Sequence, residues 1–320
     1  MKAITRKSNS LLMAGIIVAA GMSFGSCSKH NNGSGGTTVT PLGGYVSSDS
    51  VASANLIAYF TFDNNVNDVK GNQSGTASHA SYATGIRGQA YQGQDSTSYA
   101  TVPASSAFAS LQSFSVSLWY SMPSSAKPQP NTSEPGGIFF VSGSNSQNDG
   151  NEIMIETDIP SANQLAADSV SIHHGFDNIG GVTNSWENFT MVSFDTAAST
   201  WVHVVMTYDG GSSTYVFYQN GNPISVSSAY GNSASTLIYD GPLPLGSGSP
   251  ATQLQGSLSF APDPPKTLYI GTWPPNLYGV SPSLGAKGGF KGAIDELRVF
   301  NRALSASEVA GLYLNGKAGR

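Results

Sequence analysis

Apolar and polar positions alternate with a period of two in short runs along most of this chain, and turn-forming residues separate the runs. The pattern predicts strands over residues 56–62, 99–102, 114–120, 137–141, 152–156, 170–174, 189–194, 201–208, 214–219, 268–271 and 290–300. In 114–120, Phe114, Val116, Leu118 and Tyr120 share one face, while Trp119 lies on the other with Ser115 and Ser117. A tryptophan opposite the apolar face of a central strand is predicted to line a groove. Only the C-terminal segment changes period. There Ser305-Ala306-Ser307-Glu308 forms a capping box, with Leu304 and Val309 at the flanking staple positions and Gly316 as the predicted stop. Many strands, polar turns and a single short helix predict an all-β fold, a sandwich of two antiparallel sheets. Gly210 and Gly211 mark a tight hairpin, whereas residues 123–136, 158–169, 178–188 and 228–266 are long connections rich in Pro, Gly and Ser. Connections beyond about 12–15 residues are usually functional or disordered.

The N-terminus reads as a processing segment. Lys2, Arg6 and Lys7 precede a short apolar run over 11–20, too short to span a bilayer, and Phe24-Gly25-Ser26-Cys27 follows. Small residues just before a cysteine resemble the bacterial lipoprotein signal. That resemblance implies a signal peptide over 1–26, acylation of Cys27, and attachment to the outer membrane of the cell envelope. An ordinary secretory signal cut near Ser26 is the alternative. Cys27 is the sole cysteine of the 320 residues, so no internal disulfide forms. Residues 27–53 hold the lipidated cysteine and a segment rich in Gly, Ser, Thr and Asn, which predicts a flexible tether. Residues 54–316 then form one domain. Removing the signal deletes three cations and no acid, so the mature chain is more acidic than the −5 of the full sequence. No basic cluster follows the tether, which argues against nucleic acid as a partner.

Three blocks carry a family resemblance. The C-terminal G-x-I-D-E-L-R-V-F-N-R-A-L-S-x-x-E-V, starting at Gly292, resembles the closing signature of the concanavalin A-like, laminin-G-type (LamG) jelly-roll domains. Residues 56–68, LIAYFTFDNNVND, resemble the family's opening strand and acidic loop. Residues 201–221 resemble its W-x-H-V-x-x-T-Y-D-G…Y-x-N-G hairpin. The resemblance implies a jelly roll. It is poor for function, because the scaffold hosts lectins, enzymes and adhesion modules.

Candidate chemistry falls into three groups. Asp63 and Asp68 lie in an oxygen-rich loop with three asparagines, and Asp295 sits among apolar residues of the last strand. The resemblance implies these three as ligands of a structural Ca²⁺. The alternative is Asx-turns at Asp63 and Asp68, with Asp295 paired to Arg298 or Lys291. Second, alternation places Glu152, Met154 and Glu156 on one strand face. They resemble the E-x-D-x-E of retaining β-glucanases, with methionine in place of the central aspartate that helps tune the acid/base. Readings as a hydrolase, as a ligand-binding remnant and as coincidence all stand. Third, Trp273 and Tyr278 in one loop and Trp186 in another offer planes for sugar rings, with the alternative that they pin loops to the sandwich. His173 and His174 are adjacent on a strand and so point to opposite faces. The expected activity is carbohydrate binding through Trp186, Trp273, Tyr278, Glu152 and Glu156, with a poly- or oligosaccharide as partner. The rivals are a glycoside hydrolase using Glu152 and Glu156, and a protein-interaction or adhesion module.

Overall fold

The computed structural model describes residues 39–126, 135–143, 153–158, 170–176, 192–194, 200–224, 236–237, 239–240, 252–253, 256–260, 264–275 and 283–320. In chain order the strands are β1 (Leu56–Phe60), β2 (Thr76–Ser78), β3 (Ser81–Thr84), β4 (Gln89–Gln92), β5 (Tyr99–Pro103), β6 (Phe114–Ser121), β7 (Gly136–Ser142), β8 (Ile153–Asp158), β9 (Val170–Phe176), β10 (Val192–Phe194), β11 (Val202–Asp209), β12 (Thr214–Gln219), β13 (Asn222–Pro223), β14 (Thr236–Leu237), β15 (Tyr239–Asp240), β16 (Thr252–Gln253), β17 (Thr267–Ile270) and β18 (Ala293–Phe300). Helix α1 (Ser106–Ala109) is a single turn, and α2 (Ala306–Lys317) follows β18.

Two antiparallel sheets face each other, as the alternating pattern requires for a jelly-roll sandwich. One runs β13-β12-β11-β6-β18-β4-β3, with β1 beside β18 and β14 beside β12; the other runs β10-β9-β8-β7-β17-β5-β2. The opening strand pairs with the closing one, Phe60 opposite Leu297 and Tyr59 opposite Arg298. The same flank of β18 pairs with β4 through Ala293 and Ile294. The handover between β4 and β1 falls where the β18–β6 register shifts, between Asp295 and Arg298, and Glu296 there adopts φ 52°. Between the sheets lies the main core, in which Phe114, Val116, Leu118 and Tyr120 of β6 meet Phe139, Val141, Ile153 and Ile155 of β7 and β8.

Trp119 does not line a groove. Helix α2 covers that face of the nine-stranded sheet, and Tyr313 stacks on Trp119 at 5.7 Å. His203 lies alongside, bonded to Ser117 (Nε2 to Oγ, 2.9 Å). Burial, reinforced by the nearby Arg298 charge, pushes His203 down to about 3, so it is a neutral structural group. The helix starts as expected: Ser305 Oγ accepts from Glu308 N–H, and Ser305 N–H donates to the Glu308 carboxylate at 2.8 Å. It continues through Gly316 instead of stopping there. A Cβ on Gly316 would lie 2.8 Å from Trp119 Nε1, so the glycine gives close approach to the sheet, and the left-handed turn comes later, at Gly319 (φ 69°).

The predicted tether is shorter than its composition suggests. The folded unit runs from Thr40 to Arg320. Leu42 and Tyr45 form a small bridge, Leu42 C=O accepts from Asn315 Nδ2 at 2.9 Å, and Ser48 N–H donates to Arg320 C=O at 3.0 Å. Val51 joins Phe300, Leu304, Val309 and Leu312 in a second apolar cluster under α2, with Tyr45 packed at its border. Residues 40–53 are therefore a strap across the C-terminal helix.

Candidate functional site

The outer face of the seven-stranded sheet, opposite the core, carries a second arrangement. Strict alternation in β8 sends Ile153 and Ile155 inward and Met154 and Glu156 outward. Register then decides the neighbours. Glu156 stands opposite His173 of β9, while Met154 stands opposite Phe140 of β7, which stands opposite Tyr269 of β17. Glu156 is only 1% exposed. A carboxylate that deep is costly unless donors surround it. Two ring nitrogens meet it: His173 Nδ1 lies 2.8 Å from Oε1, and Trp273 Nε1 donates to Oε2 at 2.5 Å. Trp273 reaches this position because the chain turns sharply after β17 at Gly271 (φ 77°). Gly288 then lies against the indole so closely that a Cβ there would come within 2.1 Å of the ring. Phe140, Met154 and Trp273 form an apolar cluster around the carboxylate, with Tyr269 at its edge.

Of the residues expected to meet a ligand, Glu156 and Trp273 are brought together, though not as expected. Trp273 was to present an open ring on a loop. It is 4% exposed, with its N–H spent on a buried acceptor. Glu152, Trp186, Tyr278 and Cys27 lie outside the described residues. His173 joins the site, and the sequence marks it only through its place beside His174 on one strand. Alternation sends His173 outward to Glu156 and His174 inward, where it stacks on Phe217 and bonds the Tyr215 hydroxyl. Burial holds His174 well below its ordinary value, so it stays neutral.

The three aspartates do not fit a shared calcium ion. Asp68 Oδ1 accepts from the backbone N–H groups of Tyr59, Lys70 and Gly71, the last two closing an Asx-type turn. Asp63 Oδ1 accepts from Gln89 N–H, and Asp295 accepts from Arg87 N–H through Oδ2 and Glu296 N–H through Oδ1. Among the described residues no three His, Cys, Asp or Glu side chains are grouped as a metal would need. Asp63 and Asp295 instead fasten the turn around Gly85 and Gly88 to the sheet. Asp295 pairs with neither Arg298 nor Lys291. Burial, opposed by its amide donors, raises Asp295 to about 8. An acid whose folded pKa is raised contributes stability that is present below its unfolded value and is lost as pH rises through the folded one. The melting temperature of the native chain relative to Asp295→Asn is thus expected to fall between about pH 4 and pH 8. A difference that stays flat across that range would show that the Arg87 and Glu296 amides hold the carboxylate ionised throughout.

A family model described as the concanavalin A-like lectin/glucanases superfamily matches residues 94–261. Among solved structures the chain is similar to domain 4 of AbnA, a GH43 extracellular arabinanase from Geobacillus stearothermophilus, solved in complex with arabinotriose. The identity is 20% over 81% of this chain and 98% of that one, with a TM-score of 0.44. It is also similar to the botulinum neurotoxin serotype D binding domain, at 13% identity over 81% of this chain and 51% of that one (TM-score 0.47). The receptor binding domain of the C/D mosaic serotype gives 12% over 81% and 51% (TM-score 0.46). The chain spans about half the length of those two toxin domains. No curated protein matches it.

Proposed function

Because this chain belongs to the concanavalin A-like lectin/glucanase superfamily, we propose that it binds carbohydrate, with the outer face of the seven-stranded sheet around Glu156, His173 and Trp273 as the binding site. The observation that carries this reading is a buried carboxylate fixed from two sides by ring nitrogens on a strand face that the core does not use. A buried carboxylate, even when hydrogen-bonded, contributes little or no net stability compared with apolar packing, which suits retention for a task. Here it fixes the orientation of the half-buried His173 imidazole, with the buried Trp273 indole as its second anchor, and such pre-organisation serves ligand recognition. The fixed carboxylate also speaks for binding over cleavage. Both oxygens of Glu156 are engaged, and Met154 stands where a glucanase would place the helper acid.

Calorimetric titration of the full chain with neutral and acidic polysaccharides tests the proposal. Glu156→Gln or Trp273→Phe is expected to weaken binding by about tenfold or more while the protein stays folded. Unchanged affinity in both variants would move the site elsewhere. Release of reducing ends from laminarin, abolished in Glu156→Gln, would establish the hydrolase instead. Burial of Trp273 favours a second reading, a protein-interaction module, since that ring offers no open plane to a sugar.

The export signal supports an envelope lipoprotein carried on Cys27. No helix among the described residues is long and apolar enough to cross a membrane. Labelled palmitate should enter the native chain and be absent from Cys27→Ala.

A further inference from the structure

We infer that the strap, residues 40–51, is exchanged between two copies of this chain, each copy laying its strap across the other's C-terminal helix. The inference stands apart from the carbohydrate reading above. The strap is a separable element. Among the described residues it pairs with no strand of either sheet, and its bridge, Leu42 to Tyr45, is internal. Its partners form one continuous seat, made by α2, the closing strand and the turn at Arg87. Arg320 donates to Thr40 C=O at 3.3 Å, and Arg320 C=O accepts from both the N–H and the hydroxyl of Ser48. Asn315 Nδ2 holds Leu42 C=O. The Tyr45 ring covers Gly311, where a Cβ would come within 2.4 Å of it. Asp49 takes two bonds from Arg87 and one from Arg298, and Val51 enters the apolar cluster under the helix.

One residue joins this element to the sheet. Ala52 lies between Val51 and the short turn Ser53–Asn55 that leads into β1, and it sits in the left-handed region at φ 45°, ψ 31°. A side chain in that region crowds the following carbonyl oxygen, which is why glycine is the usual residue there. Short hinges under strain favour exchange. In a closed single copy and in an exchanged pair the strap makes the same contacts, because the second copy's seat is identical. Those contacts cancel between the two arrangements. What differs is the hinge, relieved when Ala52 opens to an ordinary extended conformation, and the freedom lost when two copies join. The first favours the pair and the second opposes it, so concentration decides. Copies carried on one membrane through Cys27, as proposed above, would meet at high effective concentration.

The test uses the full chain carrying Cys27→Ser, so that introduced thiols are the only ones and no acyl chain brings copies together. One preparation carries Val46→Cys on the strap and a second carries Leu314→Cys on α2, both exposed positions beside the Tyr45–Gly311 and Gly43–Leu314 contacts. The two are mixed, incubated until straps have had time to leave their seats, and treated with a flexible bis-maleimide. A covalent strap-to-helix product between copies, mapped by mass spectrometry, is expected to grow with concentration as light scattering shows the mass doubling. Ala52→Gly, which removes the strain, is expected to weaken pairing by about tenfold or more. Ala52→Pro cannot adopt φ 45°, while Val51 before it is already extended (φ −75°, ψ 120°) as a proline requires. That variant is expected to pair at concentrations where the native hinge leaves single copies. If melting shows that Ala52→Pro does not fold, the native hinge against Ala52→Gly carries the test. Absence of the strap-to-helix product between copies at every concentration would overturn the exchange. So would a doubled mass without that product, or pairing indifferent to Ala52→Gly, since either places the contact on another surface.

Discussion

Replacing Arg298 with alanine is expected to cost about 3–5 kcal/mol of folding stability, the loss typical when one partner leaves a buried ion cluster. Arg298 is 3% exposed, in the closing strand. Its Nη2 meets Glu296 at 2.6 Å and Asp49 at 2.9 Å, and its guanidinium lies 4.2 Å from the centre of the Tyr59 ring. The Tyr59 hydroxyl donates to the other oxygen of Glu296 at 2.7 Å, and Arg87 adds a bidentate pair to Asp49. Burial disfavours the Arg298 charge, but Glu296, Tyr59 and Asp49 more than offset it and raise its pKa. Removing the arginine leaves Glu296, which is 1% exposed, with the neutral Tyr59 hydroxyl at 2.7 Å and Arg87 at 3.6 Å as its nearest remaining cation. Urea denaturation measures the loss directly. A cost below about 1 kcal/mol, as for an exposed pair, would mean that water already screens the cluster. A double cycle with Glu296→Gln separates the pair from the packing, since Glu296→Gln should be much less harmful once Arg298 is gone.

That cluster shows how far the sequence can be read. The capping box at Ser305 is local chemistry, and it forms as the pattern predicts. The long alternating runs of β6, β11 and β18 are equally legible, because each must bury one face. The run over 76–92 is not. Strands β2, β3 and β4 are short and built from Thr, Ala, Ser, Gln and Tyr, and they become strands only because β5 and β18 supply partners. The cost of burying Asp295 was visible in its apolar neighbours, but its partners were not. One is the amide of the next residue, Glu296, turned inward by the bulge; the other, Arg87 N–H, comes from a turn 208 residues earlier in the chain. The bulge at Glu296 is likewise tertiary: it turns two successive acids to different partners, Asp295 to the turn and Glu296 to Arg298. At the candidate site, parity alone placed Glu156 and His173 outward. Only register set them opposite each other, and only the turn at Gly271 brought Trp273 to the same carboxylate.

The strap makes the second large prediction. A chain begun at Ser53, where composition ends the tether, is expected to be less stable than one begun at Val39 by about 3–5 kcal/mol, roughly 10 °C in melting temperature for a domain of this size. The shortened chain loses Val51, 2% exposed against Phe300 and Val309, and the Tyr45 ring that lies over Gly311. It also loses Ser48, whose hydroxyl contacts Arg298 at 3.2 Å and whose N–H holds Arg320 C=O, and Asp49, the shared partner of Arg87 and Arg298. The apolar and ionic parts can be told apart. Val51→Ala should cost about 1–3 kcal/mol at any salt concentration, through lost burial and the space left behind. Asp49→Asn should act through the two arginines, and because Asp49 is 44% exposed its effect should shrink as salt is added. Equal melting of the Ser53 and Val39 chains would show that residues 40–53 follow the helix without supporting it, and the low-apolar segment would then be the tether its composition suggests.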